Sequence, residues 1–259
     1  MEVQSWQLVS PGEPLARVAR SIDEKALEPG EVLVEVAGCG VCHTDLGFAY
    51  EGVRTRHPLP LTLGHEISGR VVAAGRDHER MVGKAVVVPA VIPCGVCEPC
   101  RRGRGAVCTK QMFPGNDDHG GFASHVKIPG RGLCEVPEDA LGPNLQLSDL
   151  SVIADAVTTP YQAIVNASLR AGDVAIWVGA GGVGSFGVQI AAALGAHVVA
   201  IDVDASRLER VARHGASLTV PAGGDARVVK ERIGGWAKEK NLPRTGWKIF
   251  ETSGHPAGQ

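Results

Sequence analysis

The stretch Asp173-Val174-Ala175-Ile176-Trp177-Val178 runs straight into Gly179-Ala180-Gly181-Gly182-Val183-Gly184, and this junction constrains the fold more than any other. The first six residues read as a buried strand. The glycines allow a turn too tight for side chains, and a helix comes next, from about Ser185 to Leu194. Then come a strand at His197-Val198-Val199-Ala200-Ile201, an acid at Asp202, and a helix from about Ala205 to His214. A third strand is expected around Leu218, a third helix from about Arg227 to Lys238, and a fourth strand at Trp247-Lys248-Ile249-Phe250. Strands joined through helices must run parallel, with right-handed crossovers, so an α/β sheet in the order 3-2-1-4 is expected.

Gly179, Gly181 and Gly184 have the spacing of a dinucleotide turn in the context it demands: after a strand, before a helix, with an acid about 20 residues on. Gly179 permits the turn, Gly181 lets backbone approach a diphosphate, and Gly184 lets helix meet strand. Gly182 and Val183 complete the predicted contact, where the helix N-terminus offers unpaired N–H groups and partial positive charge. Asp202 is placed to accept hydrogen bonds from the adenosine ribose diol. A carboxylate there repels a 2′-phosphate, so NAD is expected over NADP, with Arg207 softening that preference.

The first half reads differently. Residues 1 to about 36 look like β structure, with period-two alternation at Glu31-Val32-Leu33-Val34-Glu35-Val36 after the turn signal Pro29-Gly30. Ile67–Val72 and Gly83–Val88 read as short strands, and Gly120–Ile128 as a strand pair. Ser148 can cap a helix through Leu150, Val152 and Ile153. Two segments carry metal chemistry: Gly38-Cys39-Gly40-Val41-Cys42-His43-Thr44-Asp45 and Gly64-His65-Glu66. A thiolate and an imidazole suit Zn²⁺, and a catalytic zinc keeps one position open.

Cys94-Gly-Val-Cys97-Glu-Pro-Cys100, then Cys108, makes a second constellation. Two residues between thiols let one turning backbone aim several sulfurs at a single ion, and a return segment supplies the fourth. Four thiolates leave a tetrahedral zinc no open position, so this site is expected to be structural; an iron–sulfur cluster is the alternative occupant. Cys39 reads as a packing thiol in a tight turn and Cys134, beside Leu133, as a core thiol. His57, His78, His119 and His125 have no partner at ligand spacing and read as surface or satisfied histidines. Arg54-Thr55-Arg56-His57 reads as a solvated loop or as a patch that meets an anionic substrate.

Seven cysteines, odd in number and clustered, argue for metal thiolates in a reducing compartment rather than a disulfide framework, so the cytoplasm is expected. A net charge of −2 gives no nucleic-acid footprint. No apolar run reaches the roughly 18 residues of a membrane span. The N-terminus has neither a basic nor an apolar leader segment, so no secretory signal is expected.

Taken together, Cys42-His43-Thr44-Asp45, Gly64-His65-Glu66, the Cys94/97/100/108 lobe and the 179–184 turn resemble the zinc-dependent medium-chain alcohol dehydrogenases, over essentially the whole chain. The resemblance implies a GroES-like, partly open β-barrel over residues 1–150, with a structural zinc lobe at about 93–109. It implies a Rossmann NAD-binding domain over 151–259, with the active site in the cleft between the two. Cys42 and His65 match two catalytic-zinc ligands. The third ligand, usually Cys and sometimes Asp or Glu, falls at Asp155, whose plainer reading is a helix-terminus carboxylate. Glu66 matches a glutamate that backs the metal or replaces a ligand, and Asp45 the carboxylate that orients the histidine. Thr44 matches the hydroxyl that takes the substrate proton, with a helix cap as the plainer reading. His43 matches a residue that contacts the cofactor diphosphate, and Thr159 one near the nicotinamide.

Gly47 stands where many members place the histidine that completes proton transfer, so water, the ribose or another residue must carry the proton out. The family continues past the fourth Rossmann strand, so a truncated domain is expected, along with a dimer or tetramer when full length. The wording of 38–48, Val91-Ile92-Pro93 and 153–161 is similar in finer detail to the bacterial 6-hydroxycyclohex-1-ene-1-carbonyl-CoA dehydrogenases of anaerobic benzoyl-CoA degradation. That implies a small-molecule partner: a cyclic allylic secondary alcohol on a CoA thioester. Another NAD-dependent secondary-alcohol or polyol dehydrogenase, and an inactive fragment that keeps the structural zinc, are the alternatives.

Overall fold

A computed structural model describes residues 1–223 and 225–258. Gly224 and Gln259, both within the second predicted domain, lie outside the described residues. The chain divides into two compact units, Met1–Asp155 and Ala156–Gln259.

The first unit is antiparallel β structure. Its elements are β1 (Glu2–Leu8), β2 (Ala16–Ser21), β3 (Glu31–Gly40), α1 (His43–Tyr50), β4 (Leu61–Thr62), β5 (Glu66–Ala74), β6 (Ala85–Val88), α2 (Glu98–Arg101), β7 (His125–Pro129) and β8 (Cys134–Glu135). They form a three-stranded sheet, β2-β1-β4, and a five-stranded sheet, β7-β3-β5-β6-β8. Val32, Val34, Ile67, Val71, Val86, Val88, Val126 and Ile128 make one continuous core. The alternation expected along β3 breaks, because Leu33 is as fully buried as its neighbours. The pairing with β5 is also irregular: it skips Val72 of β5 between Leu33 and Val34, and Ala37 of β3 between Val36 and Gly38. A bulge inserts an unpaired residue, bends the strand and re-aims the residues beyond it, here the approach to Cys42.

Three expectations for this unit need correction. Gly120–Ile128 gives one strand, β7, rather than a pair; Ala123 makes only an isolated bridge to Ser5. A side chain at Gly121 would run into Ile67 and Cys39, so this segment lies too close to its neighbours to form a regular ladder. The segment after Gln146 is a 3-10 helix, Leu147–Ala154, with Gln146 as its N-cap instead of Ser148. Cys134 is exposed, on the short strand β8 opposite Val87, while Leu133 beside it packs on the core. Strand alternation sends neighbouring side chains to opposite faces, so one apolar neighbour does not bury a thiol.

The second unit holds α3 (Thr158–Asn166), β9 (Val174–Val178), α4 (Gly182–Ala193), β10 (His197–Asp202), α5 (Ala205–Arg213), β11 (Leu218–Pro221), α6 (Ala226–Glu239) and β12 (Lys248–Glu251). The strands are parallel in the order β11-β10-β9-β12, which is the 3-2-1-4 order read from the sequence. The period of two divides the strand residues between two cores. Ala175, Trp177, Val198 and Ala200 pack with Val188 and Ala191 of α4 and Leu208 and Val211 of α5. Val174, Ile176, Val199, Ile201 and Val220 pack with Ile233 of α6. Trp177 stacks on Phe250 at 4.3 Å, a contact worth about 0.5–1.5 kcal/mol beyond the area buried. Gly187 leaves room for that indole, since any side chain there would strike the ring.

Candidate metal centres and dinucleotide turn

Cys42 ends the bulged approach from β3 and is the N-cap of α1. His65 immediately precedes β5, and Asp155 is the C-cap of the 3-10 helix Leu147–Ala154. One donor atom from each, sulfur, nitrogen and oxygen, lies within 4.8 Å of the other two. Cys42 Sγ is 3.8 Å and His65 Nε2 3.5 Å from Asp155 Oδ2. Thr44 Oγ1 lies 3.7 Å from Cys42 Sγ. Glu66, buried and packed over Gly40, is not in the mutual donor set.

His65 shows whether the set fits a metal. Its side chain is buried, its ring meets Phe113 edge-on at 5.0 Å, and neither ring nitrogen has a hydrogen-bond partner. Burial pushes its pKa down, yet Asp155, Asp45 and Cys42 outweigh that and hold it up to about 11. A buried imidazole that faces carboxylate oxygens at 3.5 and 3.6 Å without a hydrogen bond to either is what a divalent cation among these donors would complete. Sulfur, imidazole nitrogen and carboxylate oxygen make three protein ligands with a fourth position open, the pattern of a catalytic zinc.

Asp45 holds the two ligand segments in place. It is buried; Oδ2 accepts the Cys42 N–H at 2.9 Å and Oδ1 the Gly64 N–H at 3.1 Å, while Oδ1 stands 3.6 Å from His65 Nδ1.

Cys94, Cys97, Cys100 and Cys108 also bring their sulfurs within 4.8 Å of one another. Backbone N–H groups point at these sulfurs: Cys94 N–H and Lys110 N–H donate to Cys108 Sγ at 3.2 and 3.3 Å, and Cys97 N–H donates to Cys94 Sγ at 3.3 Å. N–H groups of Cys100 and Thr109 lower the Cys97 thiol to about 6. All four donors are protein atoms, so a tetrahedral ion has no place for substrate.

A third grouping, His57, Asp118 and His119, is invisible in the sequence spacing. Within it His119 is a satisfied histidine, as expected from the sequence, and is not free to bind a metal. The buried Thr62 N–H donates to His119 Nδ1 at 3.1 Å, so neutral His119 carries its proton on Nε2 and has no lone pair to spare. His57 Nδ1 contacts its own neighbour, the Pro58 carbonyl, at 2.6 Å.

In the second unit, Gly179 has φ +94°, and a side chain there would meet Ser253 N at 2.6 Å. A side chain at Gly184 would meet the Gly179 carbonyl and Thr252 Oγ1. Gly181 and Gly182 border open space, and α4 begins at Gly182, earlier than the sequence pattern suggested. Its first-turn N–H groups, from Gly182, Val183 and Gly184, have no intrahelical acceptors, which suits a diphosphate. Asp202 carries a task that the sequence did not show. Its Oδ2 accepts the Ala180 N–H at 2.6 Å and its Oδ1 the Asp204 N–H at 2.8 Å, tying the glycine turn to the end of β10. Arg207 Nη1 lies 3.8 Å from Asp202 Oδ2. His43 is exposed, with Nε2 3.2 Å from Glu51 Oε1, and Thr159 lies in the first turn of α3.

A small antiparallel β unit with a sulfur–nitrogen–oxygen donor set, joined to a parallel α/β unit with a glycine dinucleotide turn, defines the class of zinc-binding dehydrogenases. Comparison with known proteins agrees. Residues 28–138 match the alcohol dehydrogenase GroES-like domain and residues 182–258 the zinc-binding dehydrogenase domain. An alcohol dehydrogenase of Geobacillus stearothermophilus is 33% identical over 221 residues, covering 83% of this chain and 64% of that protein. The crystal structure of galactitol-1-phosphate dehydrogenase from Escherichia coli superposes with TM-score 0.85 at 28% identity, covering 98% of this chain and 70% of that one. An Escherichia coli alcohol dehydrogenase solved with NADH has TM-score 0.80 at 26% identity, covering 98% and 70%, and another similar structure holds NADP. The chain belongs to the zinc-dependent medium-chain alcohol dehydrogenase family. It spans less than two thirds of the Geobacillus relative.

Proposed function

We propose that this chain carries the chemistry of an NAD-dependent alcohol dehydrogenase, oxidising a secondary alcohol to a ketone. The observation that supports it most is the meeting of Cys42, His65 and Asp155 around a buried imidazole with two unpartnered nitrogens. A zinc ion held there acts as a Lewis acid and lowers the pKa of an alcohol hydroxyl. Thr44, beside Cys42, would take up the hydroxyl proton and pass it outward, and a bound nicotinamide would supply the hydride acceptor for the carbinol carbon. Gly179–Gly184 and the start of α4 bind the diphosphate, His43 adds a contact to it, and Thr159 lies by the nicotinamide. Asp202 takes the ribose diol through its remaining lone pairs and excludes a 2′-phosphate. Glu66 backs the metal, and the four cysteines hold a second, structural zinc.

Thr44→Val tests the central role: kcat should fall on the order of 100-fold with zinc content unchanged. Near-normal turnover would refute it. For the substrate, the finer reading is a cyclic allylic alcohol on a CoA thioester, as in anaerobic aromatic degradation. Its support is the local wording around 38–48 and 153–161, and the exposed Arg54 and Arg56. Arg54 lines a hollow of about 330 Å³ with Phe48, Val53 and His57. A screen of that thioester against free secondary alcohols and polyols separates this reading from a general alcohol or polyol dehydrogenase. The working protein is read as a cytoplasmic homo-oligomer. No described helix is long and apolar enough to cross a membrane.

A further inference from the structure

The third donor, Asp155, hangs on an unusual support. The 3-10 helix before it runs eight residues, Leu147–Ala154. Such helices rarely exceed three or four residues, because their hydrogen bonds are poorly aligned and their side chains eclipse every third position. One this long needs a seat made by other parts of the chain.

That seat is on β3 and β5. Ser68 of β5 is fully buried, and its hydroxyl donates to the Leu147 carbonyl at 2.6 Å, fixing the first residue of the helix. Gly38 of β3 faces Ser148; a Cβ there would sit 2.6 Å from the Ser148 carbonyl oxygen and 2.9 Å from its Cα. Only a glycine lets the helix backbone come this close. Farther along, Leu150 and Ala154 pack on Val87 and Val136. Gly38 and Ser68 are also paired across the two strands. They thus form one platform, on the same strands that lead to Cys42 and continue from His65.

We infer that Ser68 and Gly38 are positioning residues for the metal centre: they set the register of the 3-10 helix and so deliver the Asp155 carboxylate to Cys42 and His65. The inference rests on the reading of Asp155 as a ligand. Ser68→Ala removes the hydroxyl and its hydrogen bond to the Leu147 carbonyl. Gly38→Ala pushes Ser148 away from the strand. Neither touches the donor atoms.

The test measures, for the zinc-loaded protein, the rate at which a chelator takes each of two zinc ions, and the visible spectrum after Co²⁺ replaces the more labile one. The four-cysteine site, in the same unit, is the internal control. Ser68→Ala and Gly38→Ala should each speed loss from the Cys42/His65/Asp155 site by about 10-fold or more, within the range for residues that orient ligands, and shift the Co²⁺ bands. Loss from the four-cysteine site should not change. Asp155→Asn is measured in parallel. If it leaves the labile site untouched, Asp155 is no ligand and the underlying reading fails. If it weakens that site while Ser68→Ala and Gly38→Ala leave rate and spectrum as in the parent, the positioning role alone fails. If both variants release the two ions together, the effect belongs to the whole unit and the specific role is likewise refuted.

Discussion

Asp45 Oδ2 accepts the Cys42 N–H at 2.9 Å, closing a loop of only three residues at the start of α1. Through its other oxygen the same carboxylate takes the Gly64 N–H, so one buried side chain sets the spacing between two distant metal-ligand segments. Asp45→Asn keeps the shape but replaces one oxygen with a donor that faces another N–H. Zinc affinity at the Cys42/His65/Asp155 site should fall 10- to 100-fold, the range for lost ligand-orienting groups. Competition with a chromophoric chelator measures it, and parent-like affinity would show that the backbone alone holds the loop.

His65 sets the pH dependence of the same centre. In protein stripped of metal, its folded pKa is raised to about 11 from an ordinary value of 6.5: burial opposes the proton, but Asp155, Asp45 and Cys42 together outweigh it. A raised pKa stabilises the fold fully below the unfolded value and loses that contribution as pH climbs toward the folded one. The melting temperature of the stripped protein should therefore decline between about pH 7 and 11. Zinc must displace this proton, so binding should tighten with rising pH over the same range. Calorimetry in buffers of different ionisation enthalpy would detect the proton released; no release at neutral pH would contradict the protonated state.

Chelators should distinguish the two donor sets. The mixed site offers three protein donors, one of them a hard carboxylate, and an open position through which a chelator enters. The four-cysteine set is closed and supported by backbone N–H groups at 3.2–3.3 Å. Timed removal followed by mass spectrometry of the native protein should show the mixed site emptied first. Prior loss from the four-cysteine lobe would reverse the assignment.

At the glycine turn, Gly184→Ala places a methyl group against the Gly179 carbonyl and 2.7 Å from Thr252 Oγ1. Overpacking of this kind costs about 1–3 kcal/mol. Because the strain falls on the turn that shapes the diphosphate site, NADH affinity should drop about 10-fold or more, read by fluorescence titration. An unchanged Kd with reduced stability would separate the turn from cofactor binding.

The Rossmann half was legible almost residue by residue, since its signals are local. Buried strands, the glycine spacing and the amphipathic helix with Leu208 and Val211 buried each declare themselves within a few residues. In the β half, strand pairing is non-local and the pattern misled. Leu33 is buried where alternation would expose it, Gly120–Ser124 runs irregularly beside β1, and Cys134 is exposed despite an apolar neighbour. The platform of Ser68 and Gly38 left no sequence signal, because a serine and a glycine acquire meaning only from the helix seated on them.

By itself the sequence determined the alternating strands and helices, the glycine turn and the four-thiol lobe, because each is written in residues close enough along the chain to interact directly. Only the tertiary structure brought Cys42, His65 and Asp155 within 4.8 Å of one another, and only it showed that His119 already spends its Nδ1 lone pair on the Thr62 N–H. The reason is physical. Short-range spacing fixes which way neighbouring side chains point, whereas contact between positions tens of residues or more apart depends on bulges, register and burial summed over a whole sheet.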